Sequence, residues 1–299
     1  MNTESTKLLA FLRSAVVSES AFSHQQSVVA PNALFSKERL YKLLQNPLIG
    51  PDWLQVAVSS KAIDYQAQFL WKSVQGKQLK FFDKRPLMQA LKNKASLVLE
   101  GLDILDPEIA ELITEVDQVF PCVLSHCEAF WSRGGAGGNE AYGGHRDRDD
   151  VLVIQIEGQK RWRIYEKQQR RFVGNSPLSE VDLGPLAAEL VMSPGDVLYV
   201  RAGTPHWCTT PGDHSLHLSI DLNDQTPNVD QISQAANNRY FRGTAPAHSS
   251  PREVIEAYAQ ILKSSDLEAE MEKARDTFRQ QAKHFRAAIL GAHPKELPW

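Results

Sequence analysis

The sequence predicts a mainly β chain with helical additions, in which a double-stranded β-helix (jelly roll) core is flanked by N- and C-terminal helices. Three observations carry this. Between Val123 and Leu222 the chain breaks into short β-rich runs, VLSHCEAFW, VLVIQIEG, KRWRIY, DVLYV and SLHLSIDL. Clusters of Gly, Pro, Asn and Asp separate them, so brief strands follow one another through turns, as in an antiparallel sandwich or barrel. On either side of this block, apolar residues recur mostly at helical spacing.

The 299 residues suffice for one large core, and 42% hydrophobic with 23% charged residues are ordinary values for a globular chain. A net charge of -3 without a long run of lysines and arginines gives no sign of a general affinity for nucleic acid and leaves room for a locally basic groove. The three cysteines, Cys122, Cys127 and Cys208, form no CxxC pair, which argues against a disulfide framework or structural zinc and for a reducing compartment. The N-terminal stretch lacks the order of a signal peptide and reads as a helix. No apolar run is long enough for a bilayer, so no membrane partner is expected and the expected location is cytoplasmic.

Taken in order, the first element with a defined start is KERLYKLLQN. Ser36 stands at its cap, and Phe35 and Leu40 are spaced as a hydrophobic staple. LQVAV from position 54 and ASLVLEG at 95 to 101 read as strands flanking a central sheet. Asp106 and Pro107 form a cap and first turn, and Ile109, Leu112, Ile113 and Val116 share one face of the helix that follows. The loop SRGGAGGNEAYGG at 132 to 144 has no helix behind it and is not a nucleotide-binding glycine motif, so it is expected to be a mobile entrance loop. Beyond the β block, Ser250, Pro251 and Glu253 make a capping box, and a second helix from about Leu267 to Leu290 ends at Gly291. Its Met271, Ala274, Phe278, Phe285 and Ile289 form a stripe that suits either intrachain packing or a homodimer. The expected organisation is therefore 1–121 completing the core sheet, 122–225 as the catalytic core and 226–299 as a helical region.

The chemistry resides in GGHRDRDDVLVIQIEGQKRWRIY and MSPGDVLYVRAGTPHW. His145 and Asp147 lie two residues apart where an extended segment begins, which places both side chains on one face. The turn PGD feeds the strand VLYV, and the turn AGTP then delivers His206 at the start of another strand. Two imidazoles and one carboxylate make a facial triad with open positions, suited to Fe(II) that must also hold a cosubstrate and dioxygen. Alone, HxD more often records a surface histidine beside a capping aspartate; the buried strand after it and the second motif tip the balance. The electrons come from 2-oxoglutarate, whose far carboxylate needs a cation. Lys160, across VLVIQI from the ligand pair, is placed for it, whereas Arg161 should point the other way.

Further candidates follow from alternation. His217, Ser219 and Asp221 share a side of SLHLSIDL that lines a pocket, and His217 and Ser219 are cosubstrate candidates. On VLSHCEAF, His126 and Glu128 share a face. Glu128 is placed either to receive a cationic substrate group or to form an ordinary ion pair, and Arg146, between the two ligands, is a second substrate candidate.

These same segments resemble the Jumonji C class of cupin oxygenases, most closely the ribosomal oxygenase branch. The match runs through HRDRDDVLVIQIEGQKRWRIY, LVMSPGDVLYVRAGTPHW and HSLHLSIDL, with LVLEGLDILDPEIAELITEV as a similar lead-in, and covers roughly residues 30 to 225. The resemblance implies iron on His145, Asp147 and His206, 2-oxoglutarate on Lys160, and hydroxylation of an unactivated carbon. Where the family commonly has a cosubstrate tyrosine, this chain has Phe130, and Tyr142, Ser219 or His217 would take over that contact. The family's winged-helix module has hardly any room in the roughly 75 residues after the last core strand. Three readings stand: hydroxylation of an amino-acid side chain in a protein, hydroxylation of a free amino acid or small biosynthetic intermediate, and a metal-binding cupin sensor without redox activity.

Overall fold

The computed structural model describes residues 3–58, 61–62, 69–93, 95–119, 124–134, 143–169, 178–223, 229–242 and 250–291. Helix α1 (Thr3–Val17) buries Leu8, Leu9, Leu12 and Ala15 along one face and leads into the short strand β1 (Phe22–Gln25). Helix α2 (Lys37–Gln45) begins where Ser36 Oγ accepts the Arg39 N–H, and both staple residues, Phe35 and Leu40, are buried. Strands β2 (Leu54–Val58) and β3 (Lys61–Ala62) precede a hairpin, β4 (Phe69–Val74) and β5 (Lys77–Phe82), which the sequence reading did not anticipate. Helix α3 (Arg85–Lys92), strand β6 (Ser96–Leu99) and helix α4 (Leu102–Leu105) follow. Asp106 then caps α5 (Pro107–Asp117) by accepting the Glu108 and Ile109 N–H groups, and Ile109, Leu112, Ile113 and Val116 are buried together.

The β block comprises β7 (His126–Arg133), β8 (Asp150–Gly158) and β9 (Lys160–Tyr165), a turn of helix α6 (Glu180–Leu183), then β10 (Leu186–Met192), β11 (Val197–Val200), β12 (His206–Thr209) and β13 (His214–Leu222). Its larger sheet has the order β1-β11-β8-β13-β7-β6-β2-β3, and its smaller one β10-β9-β12; every pairing in them is antiparallel. Strands from the N-terminal third thus extend the same sheet as β7, β8, β11 and β13. Val151, Val153, Leu198 and Val200 from the larger sheet pack against Trp162, Ile164 and Met192 from the smaller one. Apolar burial between two sheets of this kind is the main favourable term holding a jelly roll closed.

One glycine decides where the site's lysine falls. Gly158 has φ +66°, and a Cβ there would sit 2.0 Å from the His214 carbonyl oxygen, so the turn from β8 to β9 admits no side chain. The turn places Lys160 at the first position of β9.

Two compact units are present, one formed by Met1–Val119 with Ser125–Asn223 and the other by Phe120–Leu124 with Asp224–Trp299. The second unit contains α7 (Val229–Arg242), α8 (Pro251–Leu262) and α9 (Ser265–Gly291). Ser250 and Glu253 form the expected reciprocal capping box, Tyr258 Oη donates to the Ser233 carbonyl at 3.0 Å, and Arg239 pairs with Glu270 at 2.9 Å. Among the described residues no helix is long and apolar enough to cross a membrane.

Candidate metal centre and its cavity

The first two ligands and the third come from separate stretches that hold one another directly. The His145 N–H donates to the His206 carbonyl at 3.0 Å and the His206 N–H to the His145 carbonyl at 2.9 Å, an isolated antiparallel bridge. The Gly203 N–H donates to the Asp147 carbonyl at 2.9 Å, tying down the turn before His206. Asp150 secures the same turn from the other side, accepting the Ala202 N–H at 2.8 Å and the Tyr199 hydroxyl.

The side chains are oriented just as firmly. His145 Nδ1–H donates to the Gly143 carbonyl at 2.8 Å, and His206 Nδ1–H to the Thr204 carbonyl at 3.1 Å. A carbonyl can only accept, so both rings carry a proton on Nδ1 and aim Nε2 inward. The Nε2 atoms lie 3.4 and 3.3 Å from the two Asp147 carboxylate oxygens, and the three ligand atoms fall within 4.8 Å of one another. Trp162 leans against His206 with ring centroids 5.3 Å apart.

Electrostatics assign the ligands different protonation tendencies. Burial disfavours a charged His145, but the hydrogen bond and charge of Asp147 outweigh it and raise its pKa. Burial, reinforced by the charge of His145, drives His206 down to about 4, so it is a neutral donor at ordinary pH. For Asp147, burial opposes ionisation but the two imidazoles overcome it and lower its pKa. Once His145 gives up its Nε2 proton, two neutral nitrogens and one carboxylate, with the outer ring nitrogens pinned by backbone, are the donor set a divalent first-row metal requires. The residues present fit Fe(II).

The triad opens on a cavity of about 390 Å³, lined among others by Glu128, Lys160, His217, Ser219 and Asp221. Lys160 is 4% exposed and its Nζ donates to Ser132 Oγ and Thr210 Oγ1, each at 3.2 Å. A carboxylate set against this ammonium would gain a charge-assisted bond in a dry site, stronger than its equivalent in water. His217 is buried, and that burial, with the nearby Lys160 charge, holds its pKa well below the ordinary value. Its Nδ1 has no hydrogen-bond partner among the described residues. Phe130 lies flat on His217 with ring centroids 5.0 Å apart and planes 6° apart. Ser219 Oγ reaches Asp221 Oδ1 at 3.4 Å.

Glu128 faces the same cavity but belongs to a second cluster. His126 Nε2 lies 3.6 Å from Glu128 Oε1 and 3.3 Å from Asp221 Oδ2, across the register pair of β7 and β13. Asp221 and then Glu128 raise the His126 pKa to about 10. Arg146 requires a correction: it is buried, and its Nη2 donates to the Lys167 and Asp182 carbonyls at 3.0 and 2.6 Å, which aims it away from the cavity. Alternation along the extended segment explains this, since a residue between two ligands must face the opposite side. Tyr142 and most of the glycine-rich loop lie outside the described residues. Sequence reasoning missed Ser132 and Thr210 around Lys160; Ser132 shares the parity of Glu128 and Phe130, but nothing local marked Thr210.

Comparison with known proteins agrees with this geometry. Residues 110–231 match the model of the JmjC domain. A bifunctional lysine-specific demethylase and histidyl-hydroxylase NO66 of Drosophila persimilis is 37% identical over 91 residues, covering 29% of this chain and 13% of that protein. Ribosomal oxygenase 2 of Rattus norvegicus is 35% identical over 85 residues, 28% of this chain and 18% of that one. The chain therefore matches less than a fifth of either relative's length. Among solved structures, ycfD of E. coli superposes with a TM-score of 0.54 at 17% identity, covering 84% of this chain and 67% of that one. The E. coli ribosomal oxygenase YcfD in complex with cobalt and 2-oxoglutarate gives 0.52 at 16% identity, covering 84% and 65%. Residues 110–231 of this chain are thus similar to the JmjC domain, and the chain shares its fold with E. coli ycfD.

Proposed function

We propose that this chain is an Fe(II)- and 2-oxoglutarate-dependent dioxygenase that hydroxylates an unactivated carbon of an amino-acid side chain in a protein. The observation that carries it is the meeting of His145, Asp147 and His206, the first two of which line the cavity, with the buried ammonium of Lys160 in the same cavity. When bound, the metal and the keto acid supply the oxidising chemistry, consuming dioxygen and leaving succinate and carbon dioxide. The chain's own residues orient and protect. His145 and His206 present fixed Nε2 donors, Asp147 supplies the anionic ligand, and Lys160 with Ser132 and Thr210 receives the far carboxylate. His217 offers its buried Nδ1 to the cosubstrate, Ser219 lies on the same wall, and Phe130 holds the His217 ring flat in place of a tyrosine hydroxyl. Glu128, bridged by His126, is the group that faces an incoming basic side chain. Homologous proteins named as ribosomal oxygenases and a histidyl-hydroxylase support a protein substrate over a free amino acid. Ile255, Leu262 and Phe285, exposed on α8 and α9, support a homodimer through the C-terminal helices, measurable as mass by light scattering.

The test is succinate formation from 2-oxoglutarate with iron and oxygen, combined with mass spectrometry of ribosomal proteins and of a small-molecule panel for a single added oxygen. Turnover that survives intact in Asp147→Ala ends the oxygenase reading. An added oxygen confined to small molecules ends the protein-substrate reading alone.

A further inference from the structure

The hairpin β4–β5 is anchored at its base, where Phe82 is buried and its N–H donates to the Pro47 carbonyl at 3.0 Å, but it joins neither of the two larger sheets. Among the described residues its two strands pair only with each other, through a two-residue turn in which Gln75 and Gly76 both have positive φ. An isolated two-stranded ribbon is marginal in water, and this one is exposed along most of its length. Leu70 is 50% exposed, Trp71 63% and Leu79 42%. Large apolar groups concentrated on an exposed ribbon mark a surface that meets a partner.

Charge selects the partner's chemistry. From position 65 to 82 the chain contains Lys72, Lys77 and Lys80 and no Asp or Glu, although the whole chain is net negative. The register sets Trp71 opposite Lys80, with the ammonium 5.9 Å from the indole ring, and Lys72 opposite Leu79. One side of the ribbon therefore offers an aromatic plane beside a cation, flanked by the exposed Ser73 and Gln78. The other side offers Lys72 and Lys77 around Val74 and Leu79. The tip is Gln75–Gly76, polar and without the apolar wedge that insertion into a bilayer requires.

We propose that this ribbon is a docking arm for single-stranded RNA. Trp71 stacks on a base beside Lys80, while Lys72 and Lys77 take phosphates where the strand wraps the ribbon's other side, and the amide and hydroxyl groups of Gln75, Gln78 and Ser73 reach 2′-hydroxyls. A β surface with a stacking aromatic beside a lysine is how single strands are held with little sequence preference. The arm lies outside the cavity and uses none of its residues.

The experiment is fluorescence anisotropy of a labelled oligouridylate with the full chain at increasing salt. Binding is expected with a log–log salt slope of about −2, the value for three phosphate contacts on a single strand. Trp71→Ala should weaken it roughly tenfold, as loss of one stacked base does. The triple variant K72E/K77E/K80E should abolish it while the thermal melt and iron binding match wild type. Binding that persists in the triple variant would overturn the proposal. So would no binding by wild type, or oligouridylate held no tighter than oligothymidylate or than phosphatidylserine vesicles.

Discussion

Two clusters on the walls of one cavity use the same residue types to opposite ends. At the metal centre, two histidines share one carboxylate; at the other wall, one histidine lies between two. In the first, each imidazole gives its Nδ1 proton to a backbone carbonyl, and His206 is depressed to about 4. In the second, His126 is raised to about 10 because Asp221 and Glu128 both bond it. Two carboxylates around one imidazole thus hold His126 as a cation, whereas one carboxylate shared by two buried imidazoles raises His145 and leaves His206 a neutral donor. Residue type alone does not distinguish the two, and both triads bring their donor atoms within 4.8 Å.

The largest effect expected from this contrast is on metal affinity. His206→Ala or Asp147→Ala should lower Fe(II) affinity at least roughly 100-fold, since removal of even an outer-shell partner reaches that range. His126→Ala should leave one iron per chain, read by equilibrium titration. Equal losses in both would erase the distinction.

Lys160→Met comes next. It deletes a charge-assisted bond of about 1.5–3 kcal/mol, so the apparent KM for 2-oxoglutarate should rise roughly 10- to 150-fold, with iron affinity kept. An unchanged KM would show that the far carboxylate binds elsewhere.

Smaller effects concern pH. His126 has a folded pKa above its unfolded value of 6.5, so its ion pairs stabilise fully below about 6.5 and the gain is lost as pH rises through about 10. Wild type should therefore melt above His126→Gln at pH 6, and the gap should close by pH 11. A constant gap would mean that packing, not charge, is the cause. At the metal centre the direction reverses: the raised His145 must lose its proton to ligate, so iron affinity in wild type should fall as pH drops below its elevated pKa. Asp150→Asn should give the smallest change, a several-fold loss of iron affinity from loosening the turn before His206.

The cluster of the candidate metal centre was legible in the sequence because period-two geometry and turn chemistry are local. His145 and Asp147 share a face by spacing, and PGD–strand–turn places His206 at a strand start without reference to the rest of the fold. The caps at Ser36, Asp106 and Ser250 were legible for the same reason. Thr210 was not, because only the β9–β12 pairing brings its hydroxyl to Lys160. Strand β1, FSHQ, has no apolar alternation and exists through its partner β11. Arg146 misled as a cation beside the ligands; its burial against two distant carbonyls is a tertiary fact. The hairpin β4–β5 was hidden because its exposed lysines and aliphatics give neither a clean strand pattern nor a helical one.

The most direct measurement is the anomalous difference map of a crystal soaked in Mn(II), a stand-in for Fe(II) with the same preference for nitrogen and oxygen ligands. A single peak bounded by His145, Asp147 and His206, with none at His126, Glu128 and Asp221, is the predicted result. Density at the His126 cluster, or no density between the paired imidazoles and Asp147, would contradict the account.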